Sequence, residues 1–438
     1  MKNSIKKLYD LITSRFYFGD ETLEIGDKKY DPIVLFGIIT CILNGRELIF
    51  GEYGSGKTTS SERISSLIMG LPLEFIQAVT IHGHPEQTEE KIKATLDLGA
   101  LEKDGREVVR WKLSVFSPVL IIDEINRLPV GKQNLILNEV DRNIWNYRGE
   151  TIIFEVDKAF FATVNYQDLG TTNLIPPLLD RFDIAVETGR IHPIRKRIVR
   201  RGIRDEVLRD SKISREIVEY ISQNNETRKA NEIVKFLKEI SDEFKEKIEN
   251  RLKEDGFNVE IPRSYEIEEI RKEINEVEIS EDVELFLDYL GQEVYCQKGL
   301  KKDFSKCDGC HYSVYACSDI YSISNRAEIS LFKYLKAVAW IEEEEANLEH
   351  LISILPYVIW HRCGISDKKI AEIRDEDKDC CDEFYAVKDV ITDVYRRWNE
   401  HRDYQIEAYE YLISRRYDKL KEFVKNVDHP FFKSLYRY

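Results

Sequence analysis

The chain has 438 residues, too many for one hydrophobic core, and 42% of them are apolar, enough to build two or three compact units. The 65 basic residues are outnumbered by 80 acidic ones, and the net charge of −15 argues against a general nucleic-acid binder, which would carry a basic surface. The longest apolar run, Ile33 to Leu43, is too short to cross a bilayer, and the stretch from Met1 to Lys7 lacks the apolar core of a secretory signal. We therefore expect a cytoplasmic protein without a membrane partner.

The first strong motif is a phosphate-binding loop. An apolar run, Leu48 to Phe50, leads into residues 51–58, which fit the pattern G-x-x-x-x-G-K-[ST]. Glycines let the backbone N–H groups point at phosphates, and the helix that follows adds its positive end. Lys57 is expected to reach the β- and γ-phosphates and Thr58 to bind Mg²⁺. The residues predicted to surround the nucleotide here are Gly51, Glu52, Tyr53, Gly54, Ser55, Gly56, Lys57, Thr58 and Thr59.

A second apolar run, Val119 to Ile122, ends in Asp123 and Glu124. A continuous apolar run is typical of a parallel strand buried on both faces, and a carboxylate at its carboxyl end faces the crevice where α/β sheets bind ligands. Asp-Glu after an apolar run is also common at ordinary strand ends. After a phosphate loop, however, the pattern predicts that Asp123 holds Mg²⁺ through water and that Glu124 polarises the water that attacks the γ-phosphate.

A third strand, Ala159 to Val164, ends in Asn165, whose amide is predicted to orient the attacking water. The segment Leu178 to Asp183 closes the core. Arg181 within it is either an arginine finger for a neighbouring subunit or a helix-end ion pair, and its position alone leaves both open.

Two further segments of the core predict β-hairpins. Residues 101–111 carry an Asp-Gly turn between alternating segments, after a helix predicted at 88–98, and residues 144–154 show a second hairpin pattern. Trp111, Trp145 and Tyr147 in these hairpins are either exposed contacts for a substrate or, as is more common for such aromatics, packing residues.

The core is followed by charged sequence. A basic cluster comprises Arg190, Arg195, Lys196, Arg197, Arg200, Arg201 and Arg204. We interpret it first as a solvated face or subunit contact and, as an alternative, as a nucleic-acid surface. Residues 205–265 keep apolar positions at three- and four-residue spacing, which predicts two amphipathic helices that pack on the following domain or, alternatively, form a docking arm for a partner.

Four cysteines, Cys296, Cys307, Cys310 and Cys317, follow the spacing C-x₁₀-C-x₂-C-x₆-C. In a cytosolic chain such a cluster indicates metal binding before disulfides. Zinc, an iron–sulfur cluster or no metal remain open, because the spacing does not choose among them. A bound metal would be expected to staple the loop.

Several motifs together resemble those of MoxR-type AAA+ ATPases. They are the string Asp123 to Arg127, the strand end at Asn165, the segment Leu179 to Phe182, the segment Ser324 to Ala327 and the segment Leu355 to Arg362. The similarity covers residues 25–190 and 265–365. The Asp-Glu-Ile-Asn-Arg string is its most specific part.

The resemblance implies an ATP-driven homo-oligomer, usually a hexameric ring, that remodels or helps mature a partner protein. Partners of this family often contain a von Willebrand factor A domain, and the two family hairpins face the substrate or the pore. By position, Arg181 becomes the finger acting in trans and Arg326 the lid residue that contacts the γ-phosphate. The alternatives are a nucleic-acid-directed AAA+ motor or loader and a monomeric nucleotide switch.

The predicted fold is therefore a P-loop AAA+ α/β core with a parallel sheet, followed by an all-α lid. We expect an N-terminal helical segment (1–30), the nucleotide-binding core (31–190), a charged helical insertion (191–265), the lid with its cysteine-rich loop at 296–317 (266–365) and a helical C-terminal tail (366–438).

Overall fold

The computed structural model describes residues 2–105, 107–166, 174–189, 204–296, 304–307, 310–373 and 381–436, together with residues 196, 197, 199, 200 and 298. Its contacts divide the chain into two compact units, Met1–Glu276 and Val277–Tyr438. The predicted lid was placed at 266–365, whereas the structure keeps the segment up to Glu276 with the nucleotide core.

The first unit is built on a parallel sheet with the strand order β11-β3-β10-β7-β4. Its central strand β10 is buried along its whole length, as expected for a strand covered on both faces. Separate two-stranded antiparallel ribbons are formed by β1–β2, β5–β6 and β8–β9. The strands are β1 (Leu23–Ile25), β2 (Lys28–Tyr30), β3 (Arg46–Gly51), β4 (Ile81–His82), β5 (Ala94–Leu96), β6 (Val109–Trp111), β7 (Val119–Asp123), β8 (Ile144–Tyr147), β9 (Glu150–Ile153), β10 (Ala159–Asn165) and β11 (Ile184–Glu187).

The helices described in the first unit are α1 (Lys2–Leu11), α2 (Pro32–Leu43), α3 (Lys57–Met69), α4 (Leu73–Val79), α5 (Glu89–Ile92), α6 (Leu98–Asp104), α7 (Leu113–Phe116), α8 (Val130–Arg142), α9 (Pro176–Leu179), α10 (Ser211–Asn224), α11 (Ala230–Glu254) and α12 (Ser264–Asn275). Those of the second unit are α13 (Glu281–Val294), α14 (Asn325–Glu342), α15 (Leu348–Ile359), α16 (Asp367–Ile373), α17 (Asp382–Ile413), α18 (Tyr417–Val424) and α19 (Pro430–Leu435).

The sheet register brings the predicted motifs to one edge. Asn165 at the end of β10 lies opposite Gly51 at the end of β3. Asp123 at the end of β7 lies opposite His82 at the end of β4. Because these strands are parallel, their carboxyl ends meet at the same side of the sheet, where α/β proteins bind ligands.

The hairpin predicted at 101–111 is wrong. Leu98–Asp104 is a helix, which begins at Asp97, whose side chain accepts a hydrogen bond from Ala100 N at 3.1 Å. It ends at Gly105 with φ 63°, a left-handed cap. The Asp-Gly pair was misinterpreted because a helix end and a hairpin turn both need a residue with positive φ. Strand β6 pairs instead with β5, and the helix expected at 88–98 is limited to α5.

The second hairpin is present as predicted. Strands β8 and β9 pair antiparallel, and positive φ at Arg148 and Gly149 supplies the twist of a two-residue turn. Of the two alternatives for the aromatic residues, the structure supports packing, because Trp111, Trp145 and Tyr147 are 1%, 0% and 6% exposed. They pack the two ribbons onto the unit.

The two amphipathic helices predicted within 205–265 are α10 and α11. They belong to the first unit together with α12 rather than to the following domain. Ser241 of α11 donates a hydrogen bond to the backbone carbonyl of Met69, and Arg271 of α12 donates to the Asn44 side chain at 2.9 Å. Between α10 and α11, Thr227 bonds to both inserted ribbons, accepting from Trp111 Nε1 and donating to Glu150. These helices therefore support the nucleotide core.

Part of the basic cluster, Arg190, Arg195 and Arg201, lies outside the described residues. The remaining members, Lys196, Arg197, Arg200 and Arg204, are exposed.

In the second unit, the predicted C-terminal tail packs with the predicted lid helices. Glu293 of α13 is fully buried and accepts hydrogen bonds from Arg397 Nη2 at 2.6 Å and Arg397 Nε at 2.9 Å. Its other close partner is His429 Nε2, at 3.0 Å. Burial would raise the pKa of Glu293, but the bonds from Arg397 and His429 hold that pKa below its ordinary value. None of the helices in the described part of the chain is long and apolar enough to cross a membrane.

Candidate nucleotide-binding site

The loop between β3 and α3 has the backbone of an anion cradle. Gly51, Gly54 and Gly56 have φ values of 146°, 73° and 90°, which residues with a side chain rarely adopt. A Cβ atom at Gly51 would lie 1.9 Å from Thr188 Oγ1, so that this position has no room for one. Thr188 also donates to Ser55 Oγ at 2.7 Å and thereby ties β11 to the loop.

Lys57 is the first residue of α3 and is 5% exposed. Its Nζ donates to the backbone carbonyls of Gly51 at 2.9 Å and Glu52 at 2.6 Å, which hold the ammonium group across the mouth of the loop. Burial lowers the pKa of Lys57, and the negative charges of Asp123, Glu124 and Glu52 oppose that shift. The geometry suits an ammonium group that exchanges carbonyl partners for phosphate oxygens.

Asp123 and Thr58 are brought together from separate elements. Thr58 Oγ1 donates directly to Asp123 Oδ1, and Thr163 Oγ1 of β10 donates to the same oxygen at 2.8 Å. The other carboxylate oxygen lies 3.3 Å from His82 Nδ1. A hydroxyl and a carboxylate beside a phosphate loop are the oxygen ligands that Mg²⁺ prefers, so the residues present fit this ion.

Glu124 and Asn165 are also in contact. Glu124 has φ 54°, a left-handed conformation held by its N–H, which donates to Thr163 Oγ1 at 2.8 Å. Its Oε1 accepts a hydrogen bond from Asn165 Nδ2, and its Oε2 lies 2.8 Å from Arg127 Nε. The carboxylate is thus restrained on both oxygens at the edge of the site.

Comparison with known proteins decides the class of this site. The crystal structure of a Cytophaga hutchinsonii protein assigned as an ATPase aligns with a TM-score of 0.55 at 18% identity, over 90% of this chain and 94% of the other. The family model of the AAA domain, dynein-related subfamily, matches residues 47–182, which include the phosphate loop, Asp123, Glu124 and Asn165. Residues 47–182 form an AAA+ P-loop ATPase domain. Its fold is the predicted one, and it is an ATP hydrolase.

A full-length MCM homologue from Methanopyrus kandleri also aligns with this AAA+ ATPase, at a TM-score of 0.38 and 10% identity, over 75% of this chain and 54% of the other. A comparison with curated protein sequences gives no match.

The other two predicted site residues are Arg181 and Arg326. Arg181 Nε lies 3.8 Å from Asp141 Oδ2 on α8, and the Arg181 side chain is 18% exposed. Arg46 shares the same carboxylate at 3.3 Å. Arg326 lies in the second unit, exposed on the first turn of α14, a helix that Ser324 caps by accepting from Ala327 N at 3.1 Å. The ion pair of Arg181 is observed, and the nucleotide contacts of both arginines remain predictions.

The predicted metal site at Cys296, Cys307, Cys310 and Cys317 is not supported. Within the described ranges, no group of three or more His, Cys, Asp or Glu side chains is arranged to hold a metal ion. Cys317 is drawn into the core beside α13, since the preceding residue, Ala316, donates its N–H to Glu293 at 3.3 Å. Sequence spacing makes a four-thiolate site possible, but the chain must also curve so that all four sulfurs converge. Among the described residues, the cysteines are therefore not arranged to hold zinc or an iron–sulfur cluster.

Sequence analysis missed three side chains of the site. Thr163 stands two residues before Asn165, so the period of a strand places both on one face, and this signal was readable. Arg127 was part of the family string but was given no role. His82 ends a strand of only two residues, Ile81–His82, which is too short to be predicted from the sequence.

Proposed function

We propose that this ATPase is MoxR-like and forms a hexameric ring that remodels or helps mature a partner protein. The observation that carries the proposal is the position of the two inserted ribbons. The β5–α6–β6 element precedes β7 and the β8–β9 hairpin follows it, so both flank the strand that ends at Asp123. In the chain, β7 therefore connects the nucleotide site with an inserted ribbon on either side of it.

The hydrolytic step assigns a role to each site residue. Glu124 polarises the attacking water and Asn165 orients it, while Lys57 binds the β- and γ-phosphates together with the backbone of residues 51–59. Thr58 and Asp123 would hold Mg²⁺, which supplies positive charge to the phosphates when bound. In the structure, the two carboxylate oxygens of Glu124 contact Asn165 and Arg127.

Two arginines complete the proposed site. Arg181 would act in trans, leaving its pair with Asp141 when a neighbouring subunit brings a nucleotide against it. Arg326 would contact the γ-phosphate, as the family resemblance implies. Loss of the γ-phosphate would then break these arginine contacts, and in this way hydrolysis would cause motion.

The client would contact exposed apolar side chains on the two ribbons. Leu98 and Leu101 on α6 are 66% and 37% exposed, and Ile153 on β9 is 66% exposed. Exposed apolar groups on two inserted elements suit a protein surface, such as a von Willebrand factor A domain, better than a phosphate backbone. These residues replace the buried tryptophans in the role of client contacts.

The decisive experiment is the light-scattering mass of the Glu124→Gln protein with and without Mg-ATP. We expect assembly to about six subunits with ATP only, because the variant binds the nucleotide without consuming it. Lys57→Ala is the matched control and should remain unassembled in ATP. A monomeric Glu124→Gln protein in both conditions would refute the ring, and an assembled ring whose turnover responds to DNA or RNA but to no protein would favour a nucleic-acid motor instead.

A further inference from the structure

A cavity lies at the opposite edge of the sheet from the nucleotide loop, entirely within the first unit. Its volume is about 410 Å³, within the range of small-molecule sites. Its lining includes Asn44, Pro118 and Lys158, which lie just before β3, β7 and β10 respectively. The same strands end at the nucleotide site, so the cavity and that site occupy the two ends of three shared strands.

The inner wall of the cavity is apolar. Phe116 and Phe154 contribute from the side of the sheet, and Leu237 and Ile267 contribute from α11 and α12. All four side chains are less than a tenth exposed. A wall of this kind favours a ligand with an apolar body, because contact with it removes apolar surface from water.

Two ammonium groups are buried in the same lining. Lys158 is 4% exposed, and its Nζ donates to the carbonyls of Val115, at 2.7 Å, and Ser117. The Lys245 side chain is 1% exposed and donates to the carbonyl of Pro262 at 2.7 Å. Its nearest carboxylate, that of Asp242, is 4.0 Å away.

The acidic groups of the lining lie at the rim instead. Glu155, Asp157 and Glu268 are all exposed, and Glu268 pairs with the exposed Lys238 at 3.4 Å. The fully buried charged side chains of the lining, Lys158 and Lys245, are therefore both basic, whereas its exposed side chains are mixed in charge. A ligand with a second negative charge would be repelled by those carboxylates at the rim, so a single negative charge is favoured.

A buried ammonium group without a carboxylate partner is unfavourable, and an anion bound beside it would relieve that cost. The ammonium of Lys158 lies 4.6 Å from the centre of the Phe154 ring, and no carboxylate influences it in the described part of the chain. Burial alone lowers the pKa of Lys158 to about 7, in keeping with a site that lacks its counter-ion.

We propose that this cavity binds a small organic monocarboxylate with an apolar body, whose carboxylate pairs with Lys158 and whose body lies against Phe116, Phe154 and Leu237. Nothing in this proposal depends on the ring or on a client. Its test needs no ATP turnover, so it fails or holds separately from the proposed function.

The test is calorimetric titration of the full chain with octanoate, with acetate and octanol as comparators. Octanoate has both the charge and the apolar body, acetate has only the charge, and octanol has only the body. We expect octanoate to bind with one site per chain and at least about tenfold more tightly than either comparator. Lys158→Met should weaken octanoate binding by about tenfold or more, because it removes the ammonium group and keeps the length of the side chain.

Lys247→Met is the matched control. Lys247 lies on α11 like Lys245, but it pairs with Glu243 at 2.8 Å outside the cavity, so this variant should bind octanoate like the natural chain. Leu237→Trp tests the apolar wall independently by filling the cavity, and ATP binding by each variant reports that the unit is folded.

Three results would overturn the proposal. The first is no octanoate binding to the natural chain. The second is octanol or acetate binding as tightly as octanoate, since either would remove one half of the recognition. The third is octanoate binding that both Lys158→Met and Leu237→Trp leave unchanged in folded protein, which would place the ligand elsewhere.

Discussion

Two buried lysines mark the opposite edges of one sheet. Lys57, at the carboxyl edge, is 5% exposed, and Lys158, at the amino edge, is 4% exposed. Each ammonium group donates to two backbone carbonyl oxygens at hydrogen-bonding distance. By burial and by backbone partners the two side chains are nearly equivalent.

They differ in the acidic groups around them. Burial lowers the pKa of Lys57, but the charges of Asp123, Glu124 and Glu52 act against it. Around Lys158 burial acts alone and lowers the pKa to about 7. The degree of burial therefore does not fix the role of a lysine. The carboxyl edge surrounds its lysine with carboxylates that can share a metal ion and a polyphosphate, whereas the amino edge surrounds its lysine with apolar groups.

The largest expected effect tests whether chemistry at the carboxyl edge depends on its carboxylates. Glu124→Gln should lower ATP turnover by about 100-fold to 10,000-fold, the usual contribution of a general base, while ATP still binds. Steady-state turnover and the calorimetric affinity for ATP measure the two effects separately. Lys247→Met, a change at a half-buried position on α11, should keep turnover within about twofold. Turnover of Glu124→Gln within tenfold of the natural rate would exclude Glu124 as the base.

The site at the carboxyl edge could be predicted because short sequence motifs encode it. A glycine pattern fixes the backbone of the loop. The carboxyl ends of parallel strands lie at the same edge of a sheet, so Asp123 and Asn165 could be assigned to one site from the sequence alone. The Asn165–Glu124 contact follows from the pairing of neighbouring strands β7 and β10. The restraint on Glu124 by Arg127 was not predicted, because it depends on a side-chain orientation that the motif does not specify.

The amino edge could not be predicted in this way. Lys158, Lys245 and Arg271 come from distant parts of the chain, and only packing of α11 and α12 against the sheet brings them to one cavity. The cysteine-rich loop shows the opposite error: four cysteines close in sequence indicated a metal site, but the described residues contain no group of side chains arranged to hold a metal. Local sequence patterns therefore predicted the nucleotide site, which one loop and the strand ends form, but they did not predict the cavity, which forms only by tertiary packing.

A smaller effect tests the amino edge through stability. Between the folded pKa of Lys158, about 7, and its ordinary value of 10.5, the unfolded chain holds a proton that the folded chain has released. The unfolded state binds more protons in this window, so this lysine makes stability increase as the pH rises. Lys158→Met should remove that increase, which amounts to about 2 kcal/mol between pH 7 and pH 9.

Denaturant unfolding of the natural chain and Lys158→Met at the two pH values measures this difference, since all other titrating groups are common to both proteins. Lys247→Met should keep the full increase with pH, because the side chain of Lys247 is 43% exposed. Equal pH dependence in the natural chain and Lys158→Met would show that Lys158 stays charged when folded, and the contrast between the two lysines would then disappear.

The smallest effect returns to Glu124, whose carboxylate is restrained by Asn165 and Arg127. The ion pair with Arg127 joins side chains that are 33% and 25% exposed, so we expect it to contribute only about 0.5–1 kcal/mol. If it holds Glu124 away from the attacking water, Arg127→Ala should raise turnover in the absence of a client by about twofold to fivefold and leave the KM for ATP unchanged. Arg127→Lys keeps the positive charge but loses the forked donors of the guanidinium group, so its turnover should lie between that of the natural chain and that of Arg127→Ala. Lower turnover in Arg127→Ala would instead mean that Arg127 supports the catalytic position of Glu124, and the conformation seen here would then be the working one.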